Sequence, residues 1–381
     1  MEQNLANQKL NRQILVSVII KALLLFLVLN LLIALIPQGS SLGRLSLYNI
    51  LFPGRVRLPF GENPEEAYNL SIYDLEAMFA SHKINAESKP TGEFRIILIG
   101  DSATWGILLK PENTLSGLIN RAGLTACDGR TVRAYNLAYP SMSLTKDLMI
   151  LEKALEYQPD LVIWPMTLES FPKELQLTTP LVANNPGRVI PLIQQYDLDL
   201  NPKSEDFTQL SFWQRTLIGR RRAVLDAIQL QLYGVLWAGT GIDQTYPEHI
   251  TPAQRDFITA DTAFHGREPG EPLPNSLALE VLEAGNAMTG SVPLLVVNEP
   301  ILISNGENSD VRYNFFYPRW AYDQYRTLMT QLASTAEWGY VDLWDSVPDD
   351  EFTNSAVHIT PRGSLIYFKA LKPEIEALLC P

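Results

Sequence analysis

The stretch Ile96-Ile97-Leu98-Ile99-Gly100-Asp101-Ser102 decides how this chain reads. Four consecutive aliphatic residues, three of them β-branched, describe a short strand buried on both faces, as in a parallel sheet. With Arg95 in front, the predicted strand is Arg95 to Ile99. Ser102 then stands just past the carboxyl end of an apolar strand, where open α/β sheets bind their ligands. A hydroxyl at that place can be directed at a substrate carbonyl while backbone N–H groups of the following turn or helix start face the developing oxyanion. Gly-Asp-Ser by itself is an ordinary turn tripeptide, so its position in the pattern gives it weight.

Outward from this stretch the chain alternates short apolar runs with longer helical patterns, the signature of βαβ units around a mainly parallel sheet. A helix is expected from about Thr114 to Ala122, a strand at Val132–Leu137, a helix from about Ser143 to Tyr157 and a strand at Asp160–Pro165. Two further strands fall at Pro293–Val297 and Tyr340–Leu343, with helices at about Trp320–Glu337 and Pro361–Leu379. The third and fourth strands are separated by far more chain than an ordinary connection needs, which marks an insertion at about 176–272. Within it, Arg222 to Trp237 fits a buried lid helix or, with Trp213 and Trp237 flanking it and arginines in front, a helix lying on a membrane surface.

Before the sheet, Ile14 to Ile36 is a run of the length needed to span a hydrocarbon core, interrupted by Ser17, Lys21 and Asn30. It reads as a transmembrane anchor, since Ile36-Pro37-Gln38-Gly39 is a poor cleavage site. Flanking charge does not orient it, because Lys9 and Arg12 face Arg44, Arg55 and Arg57. The expected organisation is a tail at 1–13, the anchor at 14–36, a lead-in at 37–93 with a helix from Asn69 to Ser81, and one α/β domain at 94–381. The 381 residues leave room for one large domain plus these extras. A formal charge of -12 excludes broad nucleic-acid binding, which relies on basic surface.

Of four histidines, His82 lies in the lead-in, His249 and His265 lie in the insertion, and His358 alone sits at the carboxyl edge of the predicted sheet, at a helix entrance. Imidazole is the usual base for a serine nucleophile because it both accepts and returns a proton near neutrality. No Cys or His spacing suits a metal and no glycine-rich phosphate loop is present, so no cofactor is expected. Asp342 and Asp345 read as residues of the last strand and its end. Gly39-Ser40-Ser41-Leu42-Gly43 matches the nucleophile-elbow pattern, but it follows the membrane helix and lacks a preceding sheet strand.

From Phe94 to Leu379 the sequence resembles the SGNH/GDSL hydrolases. Ile99-Gly100-Asp101-Ser102 is similar to their serine block, Asn136 to Pro140 to the second, Leu161 to Ser170 to the third, and Asn354 to Gly363 to the histidine block. The resemblance implies a flavodoxin-like, doubly wound parallel sheet, with the insertion unmatched, and an acyl-hydrolysing or acyl-transferring site. It implies Ser102 as nucleophile beside Asp101, His358 as base, and oxyanion donors from Ser102 and the second and third blocks. Three positions depart from the pattern. Ala138 stands where the second block has glycine. The third block has no asparagine: Glu169 falls closest, and Thr167 or Ser170 is the better donor. Ser355 stands three residues before His358 in place of aspartate, leaving Asn354 or Asp350, with Asp349 beside it, to orient the imidazole.

The anchor with such a domain resembles membrane-tethered SGNH proteins that act beside membrane-bound O-acyltransferases on cell-surface polymers. This implies an extracytoplasmic domain in a cell membrane and an acyl-ester or glycan substrate. A scaffold that has lost its chemistry and serves binding or assembly is the alternative. A strand order of 2-1-3-4-5 would place the first and last helices on one face, with Cys127 and Cys380 near their carboxyl ends and positioned to form a disulfide.

Overall fold

The apolar runs become five parallel strands in the computed structural model of the chain, which describes residues 2–35, 47–51, 54–60, 73–86, 88–221, 225, 228–240, 252–253, 260–336 and 338–380. The strands are β1 (Glu93–Leu98), β2 (Thr131–Asn136), β3 (Leu161–Met166), β4 (Leu294–Asn298) and β5 (Gly339–Asp342). Their order is β2-β1-β3-β4-β5, the flavodoxin-like order that the resemblance implies. Leu98 pairs with Asn136 on one side and Ile163 on the other. The inner strands β1, β3 and β4 are buried along their whole length, whereas edge strand β2 alternates exposed and buried positions. That difference is why the inner strands read as unbroken apolar runs.

Period-two alternation sends neighbouring residues of each strand to opposite faces. Ile96, Leu98, Val132 and Ile163 pack beneath α2 (Leu115–Arg121) and α6 (Pro361–Leu378). Ile97, Ile99, Val162 and Trp164 face α3 (Leu144–Leu155), α4 (Leu279–Thr289) and α5 (Arg319–Ala333). Each fully buried aliphatic side chain contributes about 1.5–3 kcal/mol. The α4 helix lies so close to the sheet that a Cβ on Gly285 would come within 2.4 Å of the Trp164 ring.

Because α2 and α6 share a face, Cys127 and Cys380 meet with a Cα–Cα separation of 5.1 Å and are joined as a disulfide. It ties the end of α6 to the turn before β2 across a sequence separation of 253 residues. Constraining so long a loop in the unfolded chain stabilises the fold by about 2–5 kcal/mol. Cys127→Ser should therefore lower the melting temperature by several degrees, and a reducing agent should do the same to the parent protein and nothing further to the variant.

Ahead of the sheet, α1 (Glu2–Ala34) contains a stretch, Asn11–Ala34, with mean hydropathy 2.7, long and apolar enough to cross a membrane. The lead-in helix occupies Leu75–Ser81, shorter than the Asn69–Ser81 expected. Tyr73 has a positive φ of 61° and Asp74 is the N-cap, its carboxylate accepting from the Ala77 N–H at 3.1 Å. Residues 69–72 and the Gly39–Gly43 stretch lie outside the described residues, as do 222–224. The buried-lid reading of the insertion helix is overturned: Leu225, Ile228, Leu232 and Leu236 are all exposed.

Candidate active site

Chain geometry at the end of β1 demands glycine. Gly100 has φ +145°, and a Cβ there would lie 2.8 Å from Thr104 Oγ1 and 2.9 Å from the Pro165 carbonyl. The next residue, Asp101, is an N-cap: its Oδ1 accepts from the Ala103 N–H at 2.8 Å and starts the short helix Ser102–Trp105. Asn136 at the end of β2 donates from Nδ2 to the Thr104 carbonyl at 2.9 Å and holds this helix from the side. The lead-in closes over it, with Trp105 Nε1 donating to the Leu58 carbonyl at 2.8 Å and Arg57 Nη1 to the Gly106 carbonyl at 2.9 Å. Ser102 is thus fixed at the sheet's carboxyl edge while remaining partly open to solvent.

The second half of the site comes from the loop before α6. The backbone of Thr353 and the carbonyl of His358 pair at 2.8 Å, and Phe352 bridges to Ile359, so the loop is a tight hairpin-like arch. It carries His358 to Ser102: the hydroxyl and Nε2 are 2.8 Å apart. On the other side Nδ1 lies 2.9 Å from Asn354 Oδ1. An amide oxygen only accepts, so Nδ1 carries the proton and Nε2 presents its lone pair to the Ser102 hydroxyl. Burial pushes the His358 imidazole down to about 4, because a cation there would lose its hydration. Asp350 is exposed on the turn Asp349–Glu351, away from this hydrogen-bonded chain.

Ser102, His358 and Asn354 are therefore brought together, and the remaining candidates are placed differently. The Ala138 N–H donates to Asn136 Oδ1 at 3.2 Å. Thr167 is buried, with its hydroxyl donating to Tyr317 at 3.1 Å, and Ser170 is buried in the turn Leu168–Ser170. Glu169 meets His265 of the insertion, Oε1 to Nε2 at 3.0 Å, and that hydrogen bond draws the His265 pKa above its ordinary value. Ser141, in the loop after Pro140, has φ +117°, and its N–H, like those of Ser102 and Thr167, makes no hydrogen bond among the described residues. The loop holding Ser141 is fastened to the nucleophile turn by the Tyr139 N–H, which donates to the Gly100 carbonyl at 3.0 Å. A non-glycine residue at positive φ leaves no mark in a sequence.

Beneath the serine lies a buried ionic cluster that sequence patterning also hid. Lys146 Nζ donates to the carbonyls of Gly100 at 2.6 Å and Tyr139 at 2.8 Å, and pairs with Asp147 at 2.6 Å. Burial pushes Asp147 up to about 6, with Lys146 opposing the shift. Asp101 and Glu299 face each other through their carboxyl groups. Burial first, and then Asp101, push Glu299 well above the ordinary carboxylate range, and burial raises Asp101 too, with Lys146 opposing. Removing one partner of a buried ion pair leaves the other uncompensated, at a cost of about 3–5 kcal/mol. Lys146→Met should show a loss of that size in chemical denaturation; a loss below about 1 kcal/mol would mean the cluster is not buried as described.

No protein-family model matches the chain, and no curated protein does. Among solved structures it is similar to a carbohydrate acetylesterase family member from Sinorhizobium meliloti (10% identity, 75% of this chain and 98% of that one, TM-score 0.33). It is also similar to a member of the lipolytic protein G-D-S-L family from Veillonella parvula (8%, 73% and 96%, TM-score 0.36). A third similar structure is the M. smegmatis aryl esterase (13%, 74% and 99%, TM-score 0.34). These likenesses are distant, and the chemistry of the site follows from its own geometry. The sheet order is that of a flavodoxin-like α/β fold, in which the serine past the end of β1 and the histidine ahead of the last helix meet.

Proposed function

We propose that the chain is a membrane-anchored serine esterase or O-acyltransferase whose substrates are acyl esters, with cell-surface glycans as the acceptor or donor class. The observation that carries this reading is the hydrogen-bonded chain from Ser102 through His358 to Asn354. In the reaction, Ser102 Oγ bonds to the acyl carbon as its proton passes to His358 Nε2. The tetrahedral oxyanion is met by backbone N–H groups, with Ser102, Ser141 and Thr167 as unengaged donors among the described residues. Collapse breaks the ester C–O bond, and the proton on Nε2 goes to the leaving alkoxide. Water or a glycan hydroxyl, giving its proton to Nε2, then takes the acyl group, and Oγ recovers a proton. Asn354 keeps the imidazole in the tautomer that this cycle needs.

The anchor supports placing the domain beside a membrane, and an envelope O-acylation system with a membrane-bound O-acyltransferase partner is the setting it fits. A second reading, a binding or assembly protein on the same scaffold, draws on one observation: an amide, not a carboxylate, backs His358. A fluorophosphonate probe separates the two. The parent protein should label and Ser102→Ala should not; labelling that persists in Ser102→Ala would sink the assignment of the nucleophile, and slow hydrolysis of acetyl esters unchanged by that substitution would favour the binding protein.

A further inference from the structure

Part of the insertion leaves the α/β domain and seats itself against the anchor. The backbone N–H of Ile218 donates to Asn30 Oδ1 at 3.0 Å, and Asn30 and Ala34, one turn apart, are buried while Leu29, Leu31 and Leu32 are exposed. Gln231 Oε1 accepts from the Leu47 N–H at 2.6 Å, which ties the same segment to the chain that follows the anchor in sequence. The surface turned outward around these contacts is apolar: Phe212, Trp213, Ile218, Leu225, Leu232 and Leu236 are all exposed, Trp213 by 72% and Leu232 and Leu236 by 63% each. Arg215 and Arg221 are exposed in the same segment, in a chain whose net charge is -12.

Taking α1 as the membrane span, as proposed above, we infer that the apolar face carried by Phe212, Trp213, Ile218, Leu225, Leu232 and Leu236 is a membrane-surface element embedded in the head-group and upper acyl region of an anionic bilayer, beside the anchor. Three features of the geometry meet here. Asn30 lies four residues before Ala34, so the Ile218 contact sits about 6 Å inside the end of the span at 1.5 Å rise per residue. Interfacial helices bury their apolar face by about 5–10 Å, the same depth. A polar Asn30 at that depth needs a partner, as does a free backbone N–H, and each satisfies the other. The bilayer that takes the anchor is also continuous with this face, so the lipid covers both. Arginines in the segment suit the phosphates of anionic head groups. An insertion fixed in the interface holds the α/β domain close to the membrane in place of leaving it on a free tether.

The test uses the full chain in nanodiscs holding one copy each, made of phosphatidylcholine with a minority of phosphatidylglycerol. The described residues contain no free cysteine, so single cysteines at Trp213, Leu232, Ile20 and Glu374 take a nitroxide label selectively. Labels at 213 and 232 should relax strongly with oxygen, which concentrates in lipid, and weakly with a water-soluble nickel complex; Glu374→Cys should show the reverse. Ile20→Cys reads the anchor alone. If position 20 is lipid-facing while 213 and 232 respond to nickel, the surface element is overturned and the anchor stands. If position 20 also responds to nickel, the anchor reading fails with it. Labels at 213 and 232 protected from both agents in liposomes, with spin–spin broadening absent from single-copy discs, would mean a second copy covers this face and would also overturn the proposal.

Discussion

His358→Ala should lower kcat on an activated acetyl ester by three or more orders of magnitude, and adding Ser102→Ala should make the double variant scarcely worse. The two side chains act as one unit: Oγ attacks only as Nε2, 2.8 Å away, takes its proton. Groups that work as a unit are strongly non-additive, because losing either removes the same step. Additive losses would mean that the residues act separately, which the proposed reaction does not allow. The parent's pH dependence adds an independent check. A base must be neutral to accept a proton, and burial holds His358 down to about 4. Activity should therefore persist well below pH 6.5, the ordinary midpoint for histidine, and fall only as the pH approaches about 4.

The same shift bears on stability, with the sign set by which state binds more protons. His358 and His82 are held down to about 4 and about 3 by burial, while in the unfolded chain both titrate near 6.5. Between those values the unfolded state binds the extra protons, so the folded state loses stability as pH falls from about 6.5 toward 4. An acid limb in activity near pH 4 is meaningful only if the fold survives there. Far-ultraviolet circular dichroism over the same range separates unfolding from protonation of the base.

Much of the fold was legible because its inner strands are buried on both sides: Ile96 to Ile99 and Leu161 to Trp164 have no polar face to disguise them. The site was legible where position alone sufficed. Ser102 follows a strand, His358 precedes the last helix, and the sheet order brings both to one edge. What stayed hidden depends on contacts between distant residues. Lys146 looks like one polar residue of an amphipathic helix until the fold carries it under Gly100 and Tyr139. Glu299 is an unremarked residue after β4 until Asp101 is set against it. Glu169 reads as a failed asparagine until His265, 96 residues later, meets it. The choice between Asn354 and Asp350 could not be made from spacing either: the arch at 353–358 brings Asn354 Oδ1 to the His358 ring, while Asp350 stays on the turn outside the arch.

Asn354→Asp should raise the rate. In the parent, Nδ1 meets an amide oxygen at 2.9 Å, which fixes the tautomer and offers no charge to the imidazolium that forms as Ser102 attacks. A carboxylate at the same position would orient the ring equally and attract the cation, an attraction that water screens in part because residue 354 is exposed while His358 is buried. In serine proteases the reverse exchange, aspartate to asparagine, costs about 10⁴ in kcat, much of it through the wrong tautomer. Here the tautomer is already correct, so the expected gain is smaller, about 10-fold to 100-fold in kcat at pH 8. The same carboxylate favours the protonated ring, so the acid limb should move up from about 4 toward the ordinary histidine range. The two effects are coupled: a faster enzyme with an unmoved limb would mean that the new carboxylate acts elsewhere than on Nδ1. A rate that falls, in a variant that still melts cooperatively and still takes the fluorophosphonate label, would show that Asn354 does more than hold the ring, and the Ser102–His358–Asn354 chain would have to be redrawn.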